Sequence, residues 1–563
     1  MRRTTLLITA MALLTASHAA RRADYRIIPL PMSVQTDSTH HYTLSDGMAI
    51  AYDSADEEQA RIAAFLAEWI NEATGLTMKL APADKQAAIR LELEKTADKK
   101  HARRARAKER AGKPAAEPTP QQEEAYTITV GPAGIALQAS RGVGLFRAAQ
   151  TLRKALPAEA ADRQPVDLPY TTIHDEPRFQ YRGVLLDCAR HYFTTDVLKQ
   201  YLDMMALHGC NQFHWHLTED QGWRFEVKSL PRLAQEGSIR QQTVIGRNTG
   251  VYDGQPYGGY YTQQDCSDIV RYAAERYINV IPEIDMPGHM QSALHVMPHL
   301  GCTGGPYPVR TYWGVSDEVL CPGNPQTMDF LRTVLGELCD VFPSKYIHIG
   351  GDECPKKRWK ACPKCQAKIR ELGLKDDGRH SPENQLQTWV NHQIEQYLAQ
   401  RGRDIIGWDE IMEGGLSGSS IVMSWRGTRG GIEAARQHHR VIMSPNVFGY
   451  LDHPQYKDED MKIPTAGRYI VSCSKIYSFE PLVPEELSPE EQQYILGPQT
   501  SLWTEHVAFP QHLFYMLLPR LGAMSEVQWC RPEQKDYQDF RRRLPRLMQH
   551  YDRIGITYCH QVE

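Results

Sequence analysis

A parallel (β/α)8 barrel of the TIM type, preceded by a small α+β domain, is the α/β fold this sequence predicts, on three observations. Past about residue 172, eight β-prone runs alternate with helical patterns, the order of a parallel sheet closed on itself. Several of those runs end in carboxylates, histidines or tryptophans, as the mouth-side ends of barrel strands do. At 563 residues the chain also exceeds one ordinary core, so a barrel with a companion accounts for its length. The expected segments are 1–20 as an export signal, 21–171 as the α+β domain and 172–563 as the barrel.

Bulk properties narrow the classes of function. Hydrophobic residues make up 41% and charged residues 23%, the balance of a folded soluble chain. A net charge of −4 and a pI of about 6.6 give no global attraction to nucleic acid or to a membrane surface. Ten tryptophans suit a polyhydroxylated ligand, which flat apolar rings can grip. Arg2 and Arg3 precede an apolar run from Leu6 to Leu14, followed by Ser17-His18-Ala19. That run is too short to span a bilayer and reads as a cleavable signal, so the mature chain is expected in the periplasm or outside the cell. No Cys follows the small residues, so no lipid anchor is expected, and no later stretch suits a membrane span.

Twelve cysteines are present. Cys302 and Cys321 bracket a Gly/Pro-rich loop and are the pair expected to form a disulfide in an oxidising compartment. Cys354, Cys362 and Cys365 resemble half of a zinc knuckle, yet no fourth Cys or His follows at a suitable spacing. A structural thiol or disulfide role is therefore preferred, and neither metal nor cofactor is expected.

In chain order, residues 56–74 carry Ala63, Leu66, Trp69 and Ile70 on one helical face and stop near Gly75. Strand-like runs follow at 88–93, 126–130 and 134–139, with a second helix over about 144–156. Between them, Lys95 to Lys113 holds nine Lys/Arg, then Pro114, Pro118 and Pro120. Without aromatic interleaving it reads as a solvated insertion rather than a polyanion site. The barrel strands are expected at 183–187, 212–217, 280–285, 346–350, 404–408, 421–425, 441–444 and 499–505. Helical patterns lie between them at 195–207, 266–275, 327–339, 383–400 and 431–437.

The chemistry concentrates in Tyr346-Ile347-His348-Ile349-Gly350-Gly351-Asp352-Glu353, a buried strand that breaks on two glycines and presents adjacent carboxylates. Two like charges so close cannot both ionise freely, so one carboxyl is expected to keep a proton near neutral pH. That is the requirement for protonating a departing sugar oxygen. The other strand ends add Arg182 with Asp187, His214-Trp215-His216 with Glu219-Asp220, and Asp285 with His289. They continue with Trp408-Asp409-Glu410, Trp425, Tyr450 with Asp452, and Trp503 with Glu505. His214 and His216 share one strand face and could hold a divalent ion, but a packed or hydrogen-bonded pair beside the site is preferred.

Taken together, seven stretches resemble family 20 glycoside hydrolases, the exo-acting β-N-acetylhexosaminidases. They are Arg182–Asp187 (RGVLLD), His214–Arg224 (HWHLTEDQGWR), Ile284–His289 (IDMPGH), His348–Glu353 (HIGGDE), Trp408–Glu410 (WDE), Tyr450–Asp452 (YLD) and Leu502–Glu505 (LWTE). The resemblance implies a glycan substrate with a terminal β-linked N-acetylhexosamine, cleaved with retention by its own 2-acetamido oxygen. It implies Glu353 as general acid/base, Asp352 orienting the acetamido N–H, and Tyr450 donating to the acetamido oxygen. Trp408, Trp425 and Trp503 would box the sugar, and Arg182, Asp452 and Glu505 would bind its hydroxyls. His289 and Asp220 would tune Glu353, with Asp187 and His216 supporting from behind.

Overall fold

The computed structural model describes residues 21–83, 86–94, 119–157, 162–416, 418–459, 462–467 and 469–562. The expected export signal and the basic insertion at 95–113 lie outside the described residues. Among the described residues, the first domain forms an eight-stranded mixed sheet. Two helices, Glu57–Thr74 and Gly142–Ala155, pack on it. Asp56 caps the first of these by accepting from the backbone amides of Glu58 and Gln59, and Gly75 at φ +75° ends it. Its face of Ile62, Ala63, Leu66, Trp69 and Ile70 is buried, as the periodicity requires. The sheet's last strand runs from Val166 to Asp175, so the domain extends a few residues past the expected boundary at 171.

The second domain is the expected closed barrel, with every neighbouring strand pair parallel. Its strands are β1 (Gly183–Asp187), β2 (Gln212–His216), β3 (Asn279–Glu283) and β4 (Tyr346–His348). They continue with β5 (Asp404–Trp408), β6 (Ile421–Ser424), β7 (Val441–Met443) and β8 (Ile495–Leu502). Leu185, Ile281, Ile406, Met423 and Ile442 fill the barrel interior. The alternate residues Val184, Leu186, Val280 and Val422 belong to the core outside it. Strands such as β1 and β6 are thus apolar on both faces, which is why those runs are continuous rather than alternating.

The strand ends differ from expectation in one consistent way. Strands β2, β3, β4, β6 and β7 stop one or two residues early, and β8 runs over 495–502 rather than 499–505. The chain leaves the ladder before it reaches Asp285, Trp425 or Glu505, so these side chains belong to the mouth loops. The cysteines differ as well. None of the twelve is in a disulfide, so Cys302 and Cys321 do not form the expected bond. The loop between β3 and β4 folds against the segment after β4, which brings their sulfurs to Cys362 and Cys365 instead.

Candidate active site

The site is built around the turn that follows β4. Gly350 has φ +64° and Gly351 φ +96°, both in the region that favours glycine. A Cβ on Gly350 would lie 1.8 Å from Asp285 Oδ1, and the Gly351 amide donates to that oxygen at 3.0 Å. The two glycines let the backbone wrap the Asp285 carboxyl and then present Asp352 and Glu353. Glu353 at φ +42° and His289 at φ +52° are non-glycine residues in the left-handed region. Each such conformation costs about 1–3 kcal/mol and is held by its surroundings.

The charges here are ordered by burial and by one cation. Burial would lower the His289 pKa, but the Glu219 carboxylate that its Nδ1 hydrogen-bonds, with the Asp220 and Glu353 carboxyls close by, holds it well above the ordinary imidazole value. His289 is therefore an imidazolium, with Nδ1 3.0 Å from Glu219 Oε2 and Nε2 3.6 Å from Glu353 Oε2 and 3.8 Å from Asp352 Oδ2. Burial pushes the Asp285 carboxyl well above its usual range, helped by the Asp352 charge, so Asp285 keeps its proton. Asp352 is also raised by burial, while the His289 cation pulls it back down. Burial would likewise raise Glu353, but the neighbouring His289 cation, with Arg190, brings it below the ordinary value. In the free site the expected carboxyl with a retained proton is thus not Glu353. The proton sits next to it, on His289.

A second group of residues closes the pocket floor. Asp187 is fully buried and accepts from the amides of Ala189, Arg190 and Thr504, which fastens the end of β1 to the end of β8. Arg190 then reaches Glu219 at 2.6 Å and lies 5.0 Å above the Trp503 ring. Asp452 is pushed up to about 8 by burial and by the neighbouring Glu505 carboxylate. Both line one pocket of about 390 Å³ with Arg190, Asp352, Glu353 and Tyr450, a size at the lower end for a small-ligand site.

Aromatic rings make the walls. Trp425 stacks on Tyr450 with ring centres 6.0 Å apart and an interplanar angle of 10°. Its indole N–H donates to Glu410, whose carboxyl burial pushes up to about 8. Trp503 stands 6.0 Å from Tyr450 and 5.7 Å from Trp408. Trp408 is only 1% exposed and lies behind Trp503, with its N–H on Glu283 Oε1 at 2.9 Å. Glu283 collects three histidines too: His216 Nδ1 at 2.5 Å, His214 Nε2 at 2.9 Å and His348 Nδ1 at 3.0 Å. His216 is therefore hydrogen-bonded to a buried carboxylate, with His214 packed against it and bonded through Nδ1 to the Gln499 side-chain amide. Burial would lower His216, but the Glu283 charge lifts it to about 10, and the edge of this charged ring meets Trp503 at 5.1 Å.

Of the residues singled out from sequence, Asp352, Glu353, Tyr450, Trp425, Asp452, Trp503 and Glu505 share the pocket. Asp187, His216, His289 and Trp408 lie directly behind it. Arg182 does not belong there. It precedes β1 and so sits at the opposite end of the barrel, where it bonds Glu124 at 2.5 Å, Phe179 O and Gly209 O and lies over Trp529. Its role is to join the first domain to the barrel floor, because Glu124 is also held by Arg147 at 2.8 Å. Breaking a buried charged pair costs about 3–5 kcal/mol. Arg182→Met is accordingly expected to lower the thermal midpoint clearly while KM per folded molecule stays near wild type. A raised KM with an unchanged midpoint would return Arg182 to the pocket.

Asp220 is displaced by its neighbour. Glu219 Oε2 lies 3.0 Å from His289 Nδ1, whereas Asp220 Oδ2 is 3.7 Å away and its Oδ1 accepts from the Gln291 amide. Glu219 is the main counter-ion of His289, and Asp220 holds the following helix. Sequence reasoning missed Arg190 and Trp313, both on the pocket. Arg190 follows the mouth end of β1 by three residues, a position that should have outweighed Arg182. Trp313 sits in a long loop with no strand to mark it.

A sequence profile described as "Glycosyl hydrolase family 20, catalytic domain" matches residues 179–532, and one described as "Glycosyl hydrolase family 20, domain 2" matches 24–176. A beta-hexosaminidase of Porphyromonas gingivalis is 39% identical over 539 residues, covering 94% of this chain and 64% of that protein. A beta-hexosaminidase of Vibrio furnissii is 37% identical over 406 residues, covering 72% of this chain and 65% of the other. The chain thus spans just under two thirds of the length of both relatives. Among solved structures, the Streptomyces coelicolor GH20 beta-N-acetylhexosaminidase superposes with a TM-score of 0.79 at 30% identity, covering 97% of this chain and 100% of that one.

Proposed function

The chain belongs to glycosyl hydrolase family 20, and from that premise we propose that it is an exo-acting, retaining β-N-acetylhexosaminidase. Its substrate would be a glycan ending in β-linked GlcNAc or GalNAc, reached outside the cytoplasm if residues 1–20 serve as the export signal they resemble. Among the described residues no helix is long and apolar enough to cross a membrane. The observation that carries the reading is the adjacency of Asp352 and Glu353 beside the His289 imidazolium, on a pocket walled by Trp425, Trp503 and Tyr450.

Adjacent carboxylates suit a reaction in which the substrate brings its own nucleophile, since the protein then needs none across the sugar ring. The acetamido carbonyl oxygen attacks C1 as the C1–O bond breaks, and the leaving oxygen takes from Glu353 the proton that His289 passes to it. Asp352, whose anionic form the His289 cation favours, accepts from the acetamido N–H and balances the charge of the oxazolinium ion. Tyr450 donates to the oxygen that attacks. Glu353 then removes a proton from water as it opens the ring at C1, restoring the original anomeric configuration. A bound nucleophile supplies an effective molarity of about 10⁵–10⁸ M. Arg190, Asp452 and Glu505 would hold the remaining hydroxyls, and a floor closed by these three groups favours a terminal sugar.

Aryl β-glycosides of GlcNAc, GalNAc, glucose and galactose test the reading. Turnover is expected only with the two 2-acetamido sugars, with the β-anomer as first product by NMR. Turnover of the glucoside, or an inverted product, would refute substrate assistance. The His289–Glu353 proton gives a second check. As His289 has a raised pKa, the pair keeps its proton until pH passes well above the ordinary imidazole range. In His289→Gln that proton must sit on Glu353 alone, so the alkaline limb of kcat/KM for the β-linked GlcNAc disaccharide should move to lower pH. An unmoved limb would separate His289 from the proton supply.

A further inference from the structure

The sulfurs of Cys302, Cys321, Cys362 and Cys365 all lie within 4.8 Å of one another, and no step of the proposed reaction uses them. We propose that these four cysteines form a structural zinc site that clips the loop between β3 and β4 to the segment after Glu353. The spacing is what argues for a metal. Cys302–Cys365 is 3.8 Å, Cys321–Cys362 is 3.7 Å and Cys321–Cys365 is 3.5 Å. A tetrahedral zinc with Zn–S bonds of about 2.3 Å requires sulfur–sulfur edges of about 3.8 Å. A disulfide requires about 2.05 Å. Two sulfurs, Cys321 and Cys365, each meet two others at about such an edge distance, which pairwise bonding does not produce.

The surroundings are those of a closed site. Cys321, Cys362 and Cys365 are buried, and Val319, Trp359, Ile369 and Leu386 pack around them. Cys362 caps and Cys365 enters the helix Pro363–Glu371, so both thiolates meet its positive end. A Cβ on Gly323 would lie 2.2 Å from the Lys364 carbonyl carbon, so only glycine lets the two cysteine segments approach this closely. Four thiolates with no open position match a structural zinc rather than a catalytic one. The spacing rule applied to sequence grouped Cys362 and Cys365 with Cys354, which lies outside the cluster, and missed the other two ligands because they come from a loop that precedes them by about 40 and 60 residues.

The clip would bear on the pocket. Trp313, Gly314 and Val315 line it and lie between Cys302 and Cys321. Asp317 and Glu318 of the same loop pair with Lys357 and Arg358, just past Glu353. Zinc would thus hold the Trp313 wall against the catalytic turn.

The test is metal analysis of the full chain purified without metal-affinity steps. About one zinc per chain is expected, retained on dialysis against EDTA and released by a mercurial that blocks thiols. Cys365→Ser and Cys302→Ser should each lose the zinc, while Cys354→Ser, a neighbouring buried thiol outside the set, should keep it. Cys302 is the least buried of the four, and its variant should raise KM several-fold with a smaller change in kcat. Metal content is read without reference to activity, so a failed zinc site and a failed glycosidase reading are distinguishable. Iron in place of zinc, disulfides among these cysteines, or four titratable thiols with no metal would each overturn the proposal.

Discussion

Glu353→Gln is expected to lower kcat on the β-linked GlcNAc disaccharide by about 10²–10⁴-fold, the usual worth of a general acid. The amide preserves the shape of the side chain and can still accept from His289, so KM should change little. What it lacks is a proton to give. An activated aryl glycoside departs without one, and its first bond cleavage should therefore survive. Its second step still needs a base, so a burst of aryl alcohol should precede a slower steady state. The contrast between the two substrates is the informative measurement. Equal loss on both would move the acid role away from Glu353.

Asp352→Asn is expected to act on a different part of the reaction. The charge it would balance develops on the acetamido group, not at the leaving oxygen. Loss should therefore be about 10²–10³-fold on glycan and aryl 2-acetamido substrates alike, the magnitude typical of removing one preorganised electrostatic contact. Stability gives an independent control, and its sign follows from linkage. Burial raises the Asp352 pKa in the folded state, so its ionisation opposes folding above the unfolded pKa. Neutral Asn removes that opposition, and the thermal midpoint at pH 7 should hold or rise. A variant with near-wild-type rates would remove substrate assistance from the account, and a variant with a much lower midpoint would make the lost activity a folding effect.

The two substitutions together with His289→Gln divide the site into a proton store, a proton donor and a charge partner. Their neighbours in the fold are consistent with that division. His289 is held by Glu219 from the loop after β2, Glu353 and Asp352 come from the loop after β4, and Asp285 from the loop after β3. Three adjacent strand ends therefore set the protonation of one another.

What the chain's residues determined on their own was the class of fold and most of the pocket. Hydrophobic runs of strand length alternating with amphipathic helices leave few closed arrangements, and a strand that breaks on Gly350-Gly351 before two carboxylates marks its own mouth end. Local patterns of that kind are read within a few residues. Only the tertiary structure decided which of two arginines faces the sugar pocket, because Arg182 and Arg190 differ by which end of the same short strand they flank. It also decided that Glu219 rather than Asp220 turns toward His289, since adjacent side chains in an irregular turn follow no period. The protonation order and the four-cysteine cluster lie still further from the sequence. Both depend on distances between segments dozens of residues apart, which burial and charge fix only after the barrel has closed.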